Sequence, residues 1–448
     1  RPVPSDCRQM ELPGEINPPV SRRESRRRRK AEWRHEKKQT LKCLKLQPAV
    51  KWSGFECTTF LDCGGISRVA PYAVSFFANC KHRWIGRSVV EVLAEEFNAY
   101  SREYFAEGAA DGRLLINGVP FQPEYCFSAA DSLEHMAHRH EPPVRTLTAD
   151  HIIHKCLDMI VIDKPSSIPV HPCGRYQYNS VVYSLARNLD IDGAMPVHRL
   201  DRLTSGVLVM ALNAETARSI CSIIESRQVN KFYLARVSGE FPLKTNAEHD
   251  SFVEPTTPSC LAEIDNDVDD SSWVVSNDPI VCTSQKFSTF AVCPVSGKPC
   301  CTAFRRLNFN GNTSVVLCYP ITGRTHQIRV HLQHLGFPIA NDPCYGGKLC
   351  KGNTYLGLDD DDRLREFNKD ILKNKVAKCP ECNMSKDQFV PADPSSQGGL
   401  FCSEIWLHAI SYTCSSWSFS TAPPRWATSS FNDTAYLQAV NHDNLQHL

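Results

Sequence analysis

The stretch HRLDRLTSG, residues 198–206, places one carboxylate, Asp201, between Arg199 and Arg202, directly before the apolar run GVLVMAL (206–212). A nearby cation favours the ionised form of an acid, and an ionised carboxylate at the start of a buried strand can serve as a nucleophile or a base. A structural ion pair pinning a loop is the plainer account of any acid so placed. Three further features favour chemistry. A second arginine-rich element, GRTHQIR (323–329), follows far along the chain. Tyr233 sits in the strand-like KFYLARVSG (231–239). Thr204-Ser205-Gly206 forms a hydroxyl-rich turn suited to holding the aspartate's backbone.

These residues need elements to position them. MIVID (159–163) and GVLVMAL are short apolar runs without alternation, as in strands buried on both faces. Asn213 is a helix cap, followed by Ala217, Ile220, Ile223 and Ile224 on one side of a helix. KFYLARVSG and SVVLCYPI (314–321) read as strands. GRTHQIRVHLQHLG (323–336) reads as a helix stopped by Gly336 and Pro338. Strands and helices mix without a βαβ repeat, so the fold class is α+β with a mixed sheet.

Upstream, Val89, Val90, Leu93, Ala94 and Phe97 recur at helical spacing. Phe105, Ala109 and Ala110 suggest a second short helix ending near Gly112. Leu114 to Val119 reads as a strand with a turn at Asn117-Gly118. Two short helices and a "GxLxING" hairpin resemble the S4 RNA-binding module; a small structural cap on the next domain is the plainer reading. The expected organisation is a basic arm at 1–50, an N-terminal extension with the S4-like module at 51–145, a catalytic domain at 146–425 and a tail at 426–448. Acidic surface insertions are expected within the catalytic domain near 262–278 and 358–370.

The 448 residues carry 50 basic and 49 acidic side chains, a net charge of +1, so any nucleic-acid footprint must be local. SRRESRRRRKAEWRHEKK (21–38) is one such run, readable as a solvated segment, an import signal or an RNA-binding arm. No apolar run approaches the roughly 20 residues that span a bilayer, and no membrane role is expected. Twenty-one cysteines at irregular spacing favour a reducing compartment over a disulfide scaffold. The first residue is Arg1, so the lack of a leader excludes no compartment.

HRLDRLTSG, NKFYLARVSG and PITGRTHQIRVHLQHLGFPIANDPCYG, in that order, resemble the RluA-type pseudouridine synthases. The resemblance covers roughly residues 155–345 and a late segment, IWLHAISY (405–412). PYAVSFFANCKHRWIGRSVVEVLAEEF and HRHEPPV are similar to the family's eukaryotic branch. The resemblance implies a mixed-sheet pseudouridine synthase domain that isomerises uridine in tRNA or mRNA. It assigns Asp201 as the catalytic aspartate and Tyr233 as the ring that stacks on the target base and is suited to accept its proton. It makes Arg329 the partner of the aspartate and Arg199 the filler of the gap left by the flipped nucleotide. Arg202, Arg324, His326, Arg87 and Arg113 complete the expected RNA-binding set. No cofactor, metal or obligatory protein partner is expected, and the chain is expected to be a monomer.

The chemistry suits these types. Uracil is detached at N1, turned, and rejoined through C5, with the carboxylate acting at the sugar either covalently or as a base. The base must leave its stack, and an aromatic face receives it. A glycoside hydrolase would need two positioned carboxylates; these motifs offer one. His326 and His331 read as hydrogen-bonded residues of a packed helix. Thr325, His326 and Arg329 also suit a plain phosphate site at a helix start, which would leave Gln327-Ile328 unexplained. Cys379 and Cys382 form a lone CxxC, read as two unpaired cysteines rather than half a zinc site. The H-x-E of a zinc deaminase is absent. The rival readings are a non-catalytic RNA-binding or chaperone protein and a nucleosidase on the same scaffold. Nucleus and cytoplasm are the expected compartments, with the mitochondrion open.

Overall fold

Six short strands open the chain: β1 (Phe60–Cys63), β2 (Ile66–Val69), β3 (Tyr72–Asn79), β4 (Leu114–Ile116), β5 (Ser132–Arg139) and β6 (Val144–Arg145). They pair as β1-β2-β6 and β3-β5-β4. Helices α1 (Val89–Glu96) and α2 (Arg102–Ala110) link β3 to β4 and close over Trp84, Leu114, Ile116 and Leu133. Asn117 and Gly118 both take positive φ, 54° and 77°, as a tight two-residue turn demands. The strand stops at Ile116, however, and Val119 returns only a reciprocal pair of bonds to it. This computed structural model describes residues 60–69, 72–97, 101–139, 141–174, 176–243, 252–264, 273–284, 288–349 and 404–433. The arm at 1–50, residues 265–272, the insertion at 358–370, Cys379, Cys382 and the chain after 433 lie outside the described residues.

The remaining strands are β7 (Ile152–Lys155), β8 (Met159–Lys164), β9 (Met195–Pro196), β10 (Ser205–Ala211), β11 (Asn230–Ser238), β12 (Val274–Ser276), β13 (Ile280–Ser284), β14 (Thr289–Val292), β15 (Thr302–Phe309), β16 (Thr313–Pro320), β17 (Leu407–Thr413) and β18 (Ser418–Ser420). Ten of them form one sheet, ordered β12-β15-β16-β11-β17-β10-β8-β7, with β18 beside β17 and β9 beside β10. Among the described strands of this sheet, only β10 and β17 run parallel. The molecule is therefore α+β with a large mixed sheet, and few helices cover it among the described residues. Those of this region are α3 (Val181–Leu189), α4 (Ala214–Glu225) and α5 (Gln327–His334). Asn213 caps α4 as expected, its side chain accepting from the Thr216 amide.

The parallel ladder holds two residue pairs, Ser205–His408 and Gly206–Ala409. Gly206 is required there. Its φ is 109°, and a Cβ would lie 2.3 Å from the Ala409 carbonyl oxygen. Beyond this contact a side chain replaces the missing strand: the Val209 amide donates to His198 Nε2 at 3.0 Å. His408 bridges Ser205 Oγ (2.8 Å) and Thr421 Oγ1 (2.6 Å). Two histidines thus hold the seam where the sheet halves meet.

Burial pushes both His198 and His408 down to about 3. Below pH 6.5 the unfolded chain takes up protons that these folded rings refuse, so stability falls with pH over that window. The slope is up to ~1.4 kcal/mol per pH unit for each ring. Asp163, raised to about 6 by burial, opposes this between about pH 4 and 6, while His135, lowered to about 4 by burial, adds to it. The urea midpoint is expected to be lower at pH 5 than at pH 7; equal midpoints would refute this account of the seam.

Two buried polar clusters tie outlying segments to the sheet. Glu141, from HRHEPPV, accepts from the Tyr72 hydroxyl (2.5 Å) and from the amides of Gln177 (2.9 Å), Tyr178 (3.0 Å) and Asn179 (2.8 Å). Glu141→Ala strips three amides of their acceptor and is expected to cost on the order of 3 kcal/mol, read from denaturant unfolding; an unchanged midpoint would show that the clamp is idle. The second cluster surrounds Arg236, which is fully buried. Its guanidinium donates to Trp426 O (2.5 Å), Thr428 O (2.6 Å) and Thr313 Oγ1 (2.7 Å). Asp433 accepts from Asn310, Asn312 and Thr313. Within residues 426–433, assigned by sequence to a tail, Trp426, Ala427 and Asp433 are buried against this cluster. The described ends of the first acidic insertion are core as well: Ile264 is buried and Val274 pairs in β12.

Candidate active site

Asp201 lies on the loop between β9 and β10. The loop is fixed by the backbone, with Thr204 N donating to Asp201 O at 3.1 Å. The hydroxyls do not hold it: Ser205 bonds His408, and the Thr204 hydroxyl has no hydrogen-bond partner among the described residues. Lys164 supports the loop from below. Fully buried, it donates to Pro165 O and Ile168 O (both 2.9 Å) and to Arg202 O (3.3 Å).

Arg329 Nη1 reaches Asp201 Oδ2 at 3.3 Å. Two further N–H groups go to Asp342, through Nε at 2.6 Å and Nη2 at 2.9 Å. Burial lowers the Arg329 pKa, but Asp342 first and Asp201 second outweigh it and leave the guanidinium above its ordinary value. Tyr345 packs its ring 4.8 Å from the same guanidinium. Sequence reasoning gave no role to Asp342 or Tyr345, both in PIANDPCYG. The available signal was indirect: a buried arginine needs a full counter-ion, and a partly exposed acid at 3.3 Å does not supply one.

His326 is also at the aspartate. Its Nε2 lies 3.5 Å from Asp201 Oδ2, and its Nδ1 lies 2.8 Å from the Tyr345 hydroxyl. The Tyr345 hydroxyl also accepts from the Phe290 amide at 3.2 Å. A carboxylate can only accept, which favours the tautomer with its hydrogen on Nε2, facing Asp201, and Nδ1 accepting from the Tyr345 hydroxyl. Burial, only partly offset by Asp201, lowers the His326 pKa. The expected phosphate-binding helix start is different in detail. His326 takes φ 56° as the residue before α5, which begins at Gln327 rather than 323. Gln327 explains itself: its side chain accepts from Thr322 Oγ1 and Arg324 N and donates to Cys301 O and Thr302 Oγ1. His331 is a buried residue bonded to Thr302 Oγ1 and Asp278 O, both at 2.9 Å.

A cleft of about 640 Å³ opens beside Asp201, lined by Arg199, Arg324, His326, Arg329, Tyr233 and Tyr412 among others. Of the expected RNA-binding residues, Arg199 and Arg324 are exposed on this cleft. Arg202 turns away from it to stack over Tyr176 at 5.6 Å. Arg87 and Arg113 lie in the N-terminal module, paired with Glu95 (2.5 Å) and Asp111 (2.7 Å). Arg227 and Lys231 also line the cleft; the basic residues of SRQVNK, just before Tyr233, were the overlooked signal.

Residues 158–334 match a sequence model described as RNA pseudouridylate synthase. A Saccharomyces cerevisiae protein named tRNA pseudouridine(31) synthase is 33% identical, over 81% of this chain and 96% of its own. The chain belongs to the pseudouridine synthase family. A second yeast relative, named tRNA pseudouridine(32) synthase, mitochondrial, is 32% identical over 81% of this chain and 77% of its own. Homo sapiens pseudouridylate synthase RPUSD2 is 41% identical over 72% of this chain but 53% of its own length. The chain thus spans about half of that relative, and 47% of the Mus musculus one. Within the pseudouridine synthase family, the matched segment contains Asp201, Tyr233 and Arg329, the three residues that the resemblance marks for catalysis.

Proposed function

We propose that the protein isomerises uridine to pseudouridine in RNA, with Asp201 as the catalytic carboxylate. The observation that carries this is a carboxylate, 22% exposed, held 3.3 Å from a buried, counter-balanced guanidinium at the wall of a cleft. Asp201 acts at the ribose of the extruded nucleotide, and Arg329 and His326 Nε2–H orient its oxygens. Tyr233 offers a ring face for the uracil. Arg199 and Arg324, at the cleft rim, meet phosphates and the space the base leaves. A uracil stacked in an RNA helix cannot reach Asp201, so the reading includes turning the base outward into the cleft.

The names of the yeast relatives favour tRNA over mRNA as substrate, and one of them adds the mitochondrion to the nucleus and cytoplasm as a compartment. We read α1, α2 and the turn at Asn117-Gly118 as an S4-like RNA-binding module, with Arg87 and Arg113 on its surface. We keep the division at 51–145 with that reading and extend the catalytic domain past 425 to include the segment on Arg236. The test is direct. Purified protein is incubated with tRNA and mRNA pools lacking pseudouridine, and modified positions are mapped. Conversion at discrete uridines supports the proposal. RNA binding without conversion would return the protein to the non-catalytic RNA-binding class.

A further inference from the structure

Tyr412 is a buried phenol on the cleft wall for which the roles above have no use. It comes from IWLHAISY, on β17, where its neighbours Leu407, Ala409 and Ile410 are apolar and buried. Beside β11, Lys231 stands opposite Tyr412 and Phe232 opposite Ser411, but Tyr233 stands opposite Ala409. Ile410 is therefore an extra residue in β17, a bulge that strengthens local twist and re-aims side chains. Its carbonyl accepts from Thr421 N at 3.0 Å instead. Both Tyr412 and Tyr233 line the cleft, and their hydroxyls are hydrogen-bonded to each other. The ring of His198 packs against Tyr412 at 4.8 Å.

The direction of that bond follows from burial. Tyr412 is 1% exposed, and its hydroxyl has no other hydrogen-bond partner among the described residues. A buried O–H without an acceptor is costly, so its hydrogen goes to the Tyr233 oxygen. The Tyr233 hydrogen is then free, and the cleft is where it can find an acceptor. Tyr233 is consequently a donor towards the bound base rather than an acceptor of its proton. The electrostatic trends agree with this direction: burial raises both phenols above their usual range, so both stay protonated at neutral pH, while the bond from Tyr412 lowers that of Tyr233.

We propose that Tyr412 is a positioning residue that orients the Tyr233 hydroxyl to donate to the detached, electron-rich uracil. This rests on the isomerase reading above. The test uses the full chain and an RNA that the wild type converts, with kcat, KM and RNA affinity measured for Tyr412→Phe, Tyr233→Phe and the double variant. Tyr412→Phe should lower kcat about tenfold, the size of one hydrogen bond to a developing charge, with KM and affinity unchanged. The double variant should be no slower than Tyr233→Phe, because Tyr412 acts only through Tyr233. Wild-type kcat in Tyr412→Phe, or losses that multiply in the double variant, would overturn the proposal. A kcat loss matched by an equal loss of RNA affinity would assign Tyr412 to packing and overturn it too. A wild type that converts no RNA would instead sink the isomerase reading, so the two failures are distinct.

Discussion

Asp201→Ala is expected to abolish pseudouridine formation, by at least about 10³-fold in single-turnover rate, while RNA affinity and thermal stability stay close to wild type. The two halves of this expectation have separate causes. On the proposed reading the carboxylate acts at the ribose, so its loss removes the chemical step. Stability survives because Arg329 keeps its two bonds to Asp342, and no buried charge is orphaned. Asp201 is a short side chain that keeps 22% of its surface exposed, so little packing is lost with it. Conversion at the wild-type rate by a folded Asp201→Ala protein would end the assignment. A collapse of stability would show that the carboxylate is mainly a structural counter-ion.

Asp342→Ala is expected to do the opposite. Asp342 is fully buried, and its carboxylate accepts from Arg329 at two points and from the Cys344 amide at 3.0 Å. Removing it leaves a buried guanidinium with one acid at 3.3 Å, a loss of roughly 3–5 kcal/mol. Arg329 would then swing towards Asp201, and the geometry of the catalytic carboxylate would go with it. Both the unfolding midpoint and the conversion rate should fall, in contrast to Asp201→Ala. Asp342→Asn keeps the shape without the charge and should fall between them. A stable, fully active Asp342→Ala protein would show that Arg329 needs no second carboxylate.

The contrast between these two aspartates separates what each level of description could reach. Asp201 was legible because its neighbours in the chain announce it: two arginines, a turn and an apolar strand are all local. The strands 159–164, 205–211, 230–238 and 313–320 and the cap at Asn213 were legible for the same reason, since periodicity and capping act over a few residues. His326 was visible as a polar residue of GRTHQIR but was read as an RNA contact. Its place 3.5 Å from Asp201 depends on a left-handed turn at φ 56° held by Gln327.

Sequence alone supplied the α+β class and the mixed set of strands, because those follow from local pattern, and it nominated Asp201, Tyr233 and Arg329 through the family resemblance that the order of the motifs carries. Tertiary structure decided the rest. It paired Asp342 with Arg329 and Tyr412 with Tyr233, partners 13 and 179 residues apart, and drew residues 426–433 onto Arg236. Such contacts have no periodicity to betray them. They arise because a charge or hydroxyl removed from water must find its complement wherever the sheet brings one within reach.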